Sequence, residues 1–145
     1  MSVKTSVIIP SRSDQWLQKT VDDLFDKAEG EIEVIVVYDG RYADPILKDH
    51  PNLVQVHHGE LHNNLVMRAS INLGMDLAEG EYVMVADEQI MMSRGYDKRL
   101  VSVCQDNWVI VPRRWRLDAE NWKLTTETEG DKRPPVDYMH VDFPY

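Results

Sequence analysis

Two aspartates each follow a short apolar run, and they are the side chains of this 145-residue chain best suited to bind a charged ligand. Asp39 comes after the run at residues 32–37, and Asp87 comes after the run at residues 82–86. A carboxylate accepts hydrogen bonds from N–H groups, and its oxygens are ligands that Mg²⁺ and Mn²⁺ favour. The pair therefore indicates a site for a polar ligand, with Asp87 as the candidate holder of a divalent cation.

A third polar group, made of Pro10, Ser11 and Arg12, closes the apolar run at residues 7–9. The chain has no glycine-rich phosphate loop of the GxGxxG or GxxxxGK[ST] type and no CxxC pair. A bound diphosphate would therefore need another counter-charge. A divalent cation held by Asp87 would supply it, because such ions bridge carboxylates and phosphates.

The spacing of apolar residues predicts the elements that must position these side chains. Helices are predicted over residues 16–28 and 65–77, because apolar residues recur there at helical spacing and a glycine follows each segment. Further predicted elements are a short helix at 44–50, a strand at 53–56, a helix at 96–104 and a strand at 108–111. Strands that alternate with helices predict the α/β class with a mostly parallel, twisted sheet. Ligands of such sheets bind beyond the carboxyl ends of the strands, where the polar groups stand.

Charge, cysteine content and hydropathy exclude several classes of protein. The net charge of −9 opposes binding to nucleic acid or to anionic membranes. The single cysteine, Cys104, excludes an internal disulfide and fits a reducing compartment, and His57, His58 and His62 lack the spacing of a zinc site. No apolar run approaches the ~20 residues that span a bilayer, so we expect a cytoplasmic protein without a membrane span.

The order of four segments resembles the family-2 glycosyltransferases. These segments are SVIIPSR at 6–12, EVIVVYDG at 33–40, NLG at 72–74, and AEGEYV at 78–83 followed by Asp87. The spacing from Asp87 to Gly95 and Tyr96 is also similar to the polypeptide N-acetylgalactosaminyltransferases. Each motif alone is common, but four in the same order with matching gaps make the resemblance specific.

The resemblance implies a single Rossmann-like domain of the GT-A fold, with helices on both faces of the sheet. Residues 1–112 would form the nucleotide-sugar-binding α/β domain, and residues 113–145 would form an irregular C-terminal segment that starts the acceptor region. Members of the family transfer a sugar from a nucleoside-diphosphate donor to an acceptor. We expect metal-assisted transfer, with a UDP-sugar favoured as the donor and the acceptor unidentified.

Roles for individual residues also follow from the resemblance. It implies that Pro10, Ser11 and Arg12 line the pocket for the base and ribose, and that Asp39 accepts a hydrogen bond from the base, commonly uracil. Asp87 corresponds to the first residue of the Asp-x-Asp motif, which binds the metal and the ribose in the family.

Two positions depart from the family pattern, and a third adds a candidate metal ligand. Gln89 stands where the motif has its second acidic residue, so we expect weakened binding of Mn²⁺ or Mg²⁺. Ile71 replaces a family arginine, and Arg68 lies one helical turn earlier, from where it could reach the same nucleotide. His140 lies where members of the fold often supply a last metal ligand.

Several questions stay open at the level of the sequence. No general base is assigned; Asp137 and Asp142 are the nearest candidates, and neither matches a motif. A nucleotide-sugar-binding module without turnover and a truncated fragment of a longer transferase remain alternatives, and homo-oligomerisation is left open. A nucleotidyltransferase would need a glycine-rich basic loop after the first strand, which residues 11–14 do not supply.

Overall fold

The computed structural model describes residues 4–12, 15–59, 67–112 and 117–124. Its elements in chain order are β1 Lys4–Ser11, α1 Leu17–Lys27, β2 Glu31–Asp39, β3 Leu53–His58, α2 Met67–Leu77, β4 Tyr82–Val85, α3 Tyr96–Val103, β5 Leu117–Asp118 and β6 Lys123–Leu124. The chain divides into two compact units, Met1–Ser102 and Val103–Tyr145. The first unit contains the sheet that carries the candidate site.

Strands β1 to β4 form an all-parallel sheet in the order β3-β2-β1-β4. Val7 of β1 pairs with Val34 of β2 on one side and with Met84 of β4 on the other. β2 pairs along its other edge with β3, and this ladder ends with Asp39 beside His58. The structure therefore confirms the α/β class and the parallel sheet. It also brings the carboxyl ends of the strands to one edge.

Side chains of the two central strands alternate between two apolar layers, as the two-residue repeat of a strand requires. The layer that faces α1 contains Val7, Ile9, Val34 and Val36, and the layer that faces α2 contains Ile8, Ile35 and Val37. Leu17, Val21 and Leu24 of α1 pack into the first layer, and Leu73 of α2 packs against the second. Helices thus cover both faces of the sheet, as expected. None of the described helices is long and apolar enough to cross a membrane.

A polar cluster closes the amino end of the sheet, opposite the candidate site. The buried carboxylate of Glu33 accepts hydrogen bonds from the Ser6 hydroxyl and from the Glu79 N–H at 2.8 Å, and it forms an ion pair with Lys4 Nζ at 3.1 Å. Burial alone would raise the pKa of Glu33, but these hydrogen bonds outweigh the burial and lower it. The cluster ties β1, β2 and the segment before β4 together.

The predicted short helix at residues 44–50 is wrong. The segment lies outside helix and strand, with Leu47 buried in the α1 layer and Ile46 exposed. Pro45 disfavours helical backbone at the residue before it. Single side chains then hold the segment against the core, since the ring of His50 stacks on Phe25 at 3.7 Å.

The predicted strand at residues 108–111 is also wrong. The segment forms neither helix nor strand, and Trp108, Val109 and Val111 are exposed. β-branched residues favour a strand only where a neighbouring strand takes up their backbone hydrogen bonds. Further along, β5 and β6 pair antiparallel, with Leu117 opposite Leu124. The sequence pattern did not predict this small hairpin.

Candidate functional site

A cavity of about 260 Å³ opens at the carboxyl ends of β1 and β2, beside the first turn of α2. It is lined by Pro10, Ser11, Arg12, Asp39, Met67, Ser70 and Glu88. The structure therefore brings Pro10, Ser11 and Arg12, predicted from the end of the first strand, together with Asp39 from the end of the second. This grouping follows from the parallel sheet, because β1 and β2 end side by side.

Of the three charged residues that line this cavity in the described part of the chain, Asp39 is the buried one. Its side chain is only 4% exposed, and Arg12 Nη2 donates to its Oδ2 at 3.4 Å. The Arg12 side chain is 63% exposed, so the guanidinium lies toward the solvent above the carboxylate. A buried carboxylate with an exposed arginine offers an incoming ligand both an acceptor for N–H groups and a cation for anionic groups.

Glu88 joins the loop after β4 to the end of β1. The backbone N–H of Arg12 donates to Glu88 Oε1 at 2.7 Å. The buried hydroxyl of Thr20 in α1 donates to the carbonyl of Glu88 at 2.7 Å and accepts from the N–H of Ile90 at 3.1 Å. These contacts fix the loop, and they place the Glu88 carboxylate on the cavity.

Glu88 and Ser70 line the cavity but were not predicted as site residues. The end of the strand before residues 87–89 indicated that this loop contributes to the site. Which of its side chains turns toward the cavity depends on the hydrogen bonds between Thr20 and the loop. Ser70 comes from the opposite side, on α2, and no local pattern distinguishes it from an ordinary helix residue.

The end of β3 lies beside Asp39, although no residue of β3 is among the described residues that line the cavity. His58 is the register partner of Asp39, and its carbonyl accepts from the Gly40 N–H at 2.9 Å. Gly40 has a φ of +89°, which a glycine adopts without the strain that a side chain would add. His58 Nε2 and Ser70 Oγ are 2.7 Å apart, and Ser70 is fully buried. This hydrogen bond connects the sheet edge to α2.

Tyr38 lies on the other face of the sheet and belongs to the support of the site. Burial, with smaller contributions from the charges of Glu88 and Tyr42, raises the pKa of Tyr38 to about 12. Its hydroxyl donates to Gln55 Oε1 at 2.7 Å. A phenol with this pKa stays protonated near neutral pH, so Tyr38 braces β2 against β3 and does not serve as a base.

Comparison with known protein families identifies the class of protein to which this chain belongs. The sequence profile of the family described as Glycosyl transferase family 2 matches residues 6–142, nearly the whole chain. The chain belongs to glycosyl transferase family 2. A comparison with curated proteins found no match. The resemblance of the four sequence segments is therefore confirmed at the level of the family, and the parallel sheet agrees with its GT-A fold.

Three of the remaining predicted residues of this family 2 domain, Asp87, Gln89 and Arg68, are described by the structure and are not among the residues that line the cavity. Asp87 and Gln89 flank Glu88 and are exposed, and Arg68 is exposed in the first turn of α2 next to the lining residue Met67. His140 lies outside the described residues. Within the described ranges, no three His, Cys, Asp or Glu side chains are grouped closely enough to hold a metal by themselves.

Proposed function

We propose that this family 2 domain binds the nucleoside diphosphate of a sugar donor in the cavity and transfers the sugar to an acceptor. The observation that carries the proposal is the buried carboxylate of Asp39 beneath the exposed guanidinium of Arg12, at the ligand-binding edge of a parallel sheet. Family membership supports the class of reaction. Residues 1–112 would hold the donor, and residues 113–145 would begin the acceptor side.

The base of the nucleotide would contact Asp39. A buried carboxylate accepts a hydrogen bond from a base N–H and penalises a base that presents a lone pair at the same place. Uracil carries such an N–H, and a UDP-sugar is therefore the favoured donor. Pro10 and Ser11 would line the base and ribose pocket, and Arg12 would pair with the ribose phosphate or stack on the base.

A divalent cation would join the diphosphate to Asp87. Mg²⁺ keeps several waters and binds through one or two carboxylates together with substrate phosphates, so a three-residue protein cage is not required. The donor set fits this pattern: Asp87 is an exposed carboxylate directly beyond β4, Gln89 offers an amide oxygen, and His140 is the third proposed ligand. When bound, such an ion supplies positive charge to the leaving diphosphate. Arg68 would add a cation from the α2 side.

The transfer itself would break the bond between the anomeric carbon and the diphosphate while a nucleophile of the acceptor attacks that carbon. Arg12 is suited to stabilise the charge that develops on the leaving group, because its guanidinium is exposed at the mouth of the cavity. The absence of an acidic side chain at Gln89 favours a second candidate, a domain that binds the nucleotide sugar without turnover.

Release of UDP from UDP-sugars in the presence of Mn²⁺, measured beside the affinity for UDP, separates these candidates. If the domain is a transferase, the wild type releases UDP from the sugar donor. Asp39→Asn then loses both this turnover and the affinity for UDP. UDP binding without release of UDP from a panel of UDP-sugars and acceptors would favour the binding module. Absence of binding by any nucleoside diphosphate would overturn both.

A further inference from the structure

We infer that His58 is a further specificity-determining residue of this site and that Ser70 is its positioning residue. The inference rests on the proposed function, since it concerns how the cavity distinguishes one nucleotide base from another. It adds to Asp39 a second polar group at the base end of the site.

The place of His58 follows from the sheet. Asp39 and His58 are register partners on β2 and β3, and paired residues of parallel strands direct their side chains to the same face. Ile35 and Val37 belong to the layer that faces α2, so the alternation places Asp39 and His58 on that face too. Neighbouring strands are about 4.8 Å apart, a separation that the edge of one base spans.

Ser70 explains why His58 has a defined orientation. Its hydroxyl is fully buried between α2 and the sheet, and burying a hydroxyl is costly unless it is hydrogen-bonded. An alanine would pack there without that cost. The hydroxyl lies 2.7 Å from His58 Nε2, which makes the imidazole its partner and holds the ring beside Ser70, a residue that lines the cavity.

Which atom donates across this contact depends on the tautomer of the imidazole, and the proposed tautomer is the one in which the Ser70 hydroxyl is the donor. When the Ser70 hydroxyl donates to Nε2, the neutral ring carries its proton on Nδ1 and becomes a donor there. Asp39 is an acceptor. With Asp39 opposite the ring N–H of the base, a donor beside it matches the neighbouring carbonyl, as in uracil, thymine and guanine. Cytosine or adenine in that same position would present a ring lone pair to the carboxylate.

The affinities of the full chain for UDP and CDP test this role of His58. In His58→Phe, which keeps an aromatic ring without nitrogens, UDP affinity falls roughly fivefold to tenfold, as expected for one lost hydrogen bond. The affinity for CDP, which is expected to be weak already in the wild type, changes little. The ratio of UDP affinity to CDP affinity therefore falls. His58→Asn retains a side-chain donor and restores part of the selectivity. Ser70→Ala weakens UDP binding, and adding it to His58→Phe causes no further loss.

His57→Phe is the matched control. His57 is adjacent in the chain but faces the opposite side of the sheet, where it stacks on Tyr42 at 4.6 Å. It is expected to leave the UDP to CDP ratio unchanged. The ¹⁵N chemical shifts of the His58 ring supply a readout independent of ligand: the Nδ1–H form is expected in the wild type, and its dominance is lost in Ser70→Ala.

Two outcomes overturn the inference alone: UDP bound equally by the wild type, His58→Phe and Ser70→Ala, or a wild-type ring protonated on Nε2. If His58→Phe fails to fold, the ratio of UDP affinity to CDP affinity in His58→Asn and Ser70→Ala still tests the role of His58. Failure of the wild type to bind any nucleoside diphosphate overturns the proposed function and this inference with it. Wild-type binding that is sensitive to Asp39→Asn but not to His58 variants leaves the proposed function standing.

Discussion

The guanidinium of Arg12 lies 3.4 Å from the carboxylate of Asp39, although 27 positions separate the two residues in the chain. The pair joins the ends of β1 and β2 across the top of the sheet. Asp39 is buried and Arg12 is exposed, so the carboxylate lies within the protein while the guanidinium faces the solvent from which a ligand would enter. A nucleotide would meet both charges at once.

Arg12→Gln is expected to weaken UDP binding roughly tenfold, because a hydrogen bond from a charged donor is lost. The free energy of unfolding should fall by less than about 1 kcal/mol, since the arginine is largely exposed. Arg94→Gln is the matched control, because Arg94 is about as exposed as Arg12 and pairs with Asp26 at 3.2 Å, away from the cavity. Titration calorimetry and urea denaturation measure the two effects. Equal UDP affinity of the two variants would argue against a role for Arg12.

Glu33→Ala is expected to lower the free energy of unfolding by about 2 to 3 kcal/mol, because the Ser6 hydroxyl and the Glu79 N–H lose their buried acceptor. UDP affinity should be unchanged, as Glu33 lies at the opposite end of β2 from Asp39. Urea denaturation measures the loss, and the exposed Glu81→Gln serves as the control.

The lowered pKa of Glu33 also determines how the free energy of unfolding should depend on pH. The pKa of Glu33 is lowered in the folded protein, so its contribution is fully present above the ordinary glutamate pKa of 4.5. The contribution is lost as the pH falls through the lower, folded-state pKa. The stability difference between the wild type and Glu33→Ala should therefore shrink in acid. A difference that stays constant from neutral pH down to well below 4.5 would contradict this assignment.

Gly74→Ala is expected to destabilise the protein by up to about 2 kcal/mol, because overpacking costs about 1 to 3 kcal/mol and is offset by a gain of only about 1 kcal/mol in helix propensity. A Cβ at Gly74 would collide with Cγ2 of Ile8, which is buried and β-branched. The exposed Asp76→Ala in the same helix shows the gain in propensity alone. A rise in melting temperature for Gly74→Ala would contradict the close contact of α2 with the sheet.

Much of the fold could be predicted because the deciding information is local. The β-branched runs that became β1 and β2 are fully buried, and α1 follows an apolar stripe with a glycine beyond its end. Asp39 and Arg12 were found by one topological rule, since polar residues that follow parallel strands converge.

The remainder depended on contacts between distant segments. The apolar run at residues 108–111 has strand propensity, but a strand also needs a partner for its backbone. Glu88 reaches the cavity because Thr20 anchors its loop, and Ser70 reaches it because the first residues of α2 lie beside the carboxyl ends of the strands. Neither arrangement leaves a periodic signal in the sequence.

Asp87→Asn is expected to abolish the increase in UDP affinity that Mn²⁺ produces, while the affinity without metal changes little. The reason is that Asp87 would be the main carboxylate ligand of the proposed cation. Gln89→Asp should strengthen the Mn²⁺ effect by adding a second carboxylate. Calorimetric titration with and without Mn²⁺ measures both, with the exposed Asp76→Asn as control. A Mn²⁺ effect that survives in Asp87→Asn would remove Asp87 from the metal site.

The affinity for UDP of the wild type and of Asp39→Asn, measured by titration calorimetry on folded protein, tests whether Asp39 binds the nucleotide. The buried Asp39 carboxylate predicts binding by the wild type and a loss of at least roughly tenfold in the variant, where the amide no longer supplies a charged acceptor. Asp49→Asn, an exposed site away from the cavity, should bind UDP like the wild type. Equal affinity of the wild type and Asp39→Asn, with both folded, would contradict the assignment of this cavity as the nucleotide site.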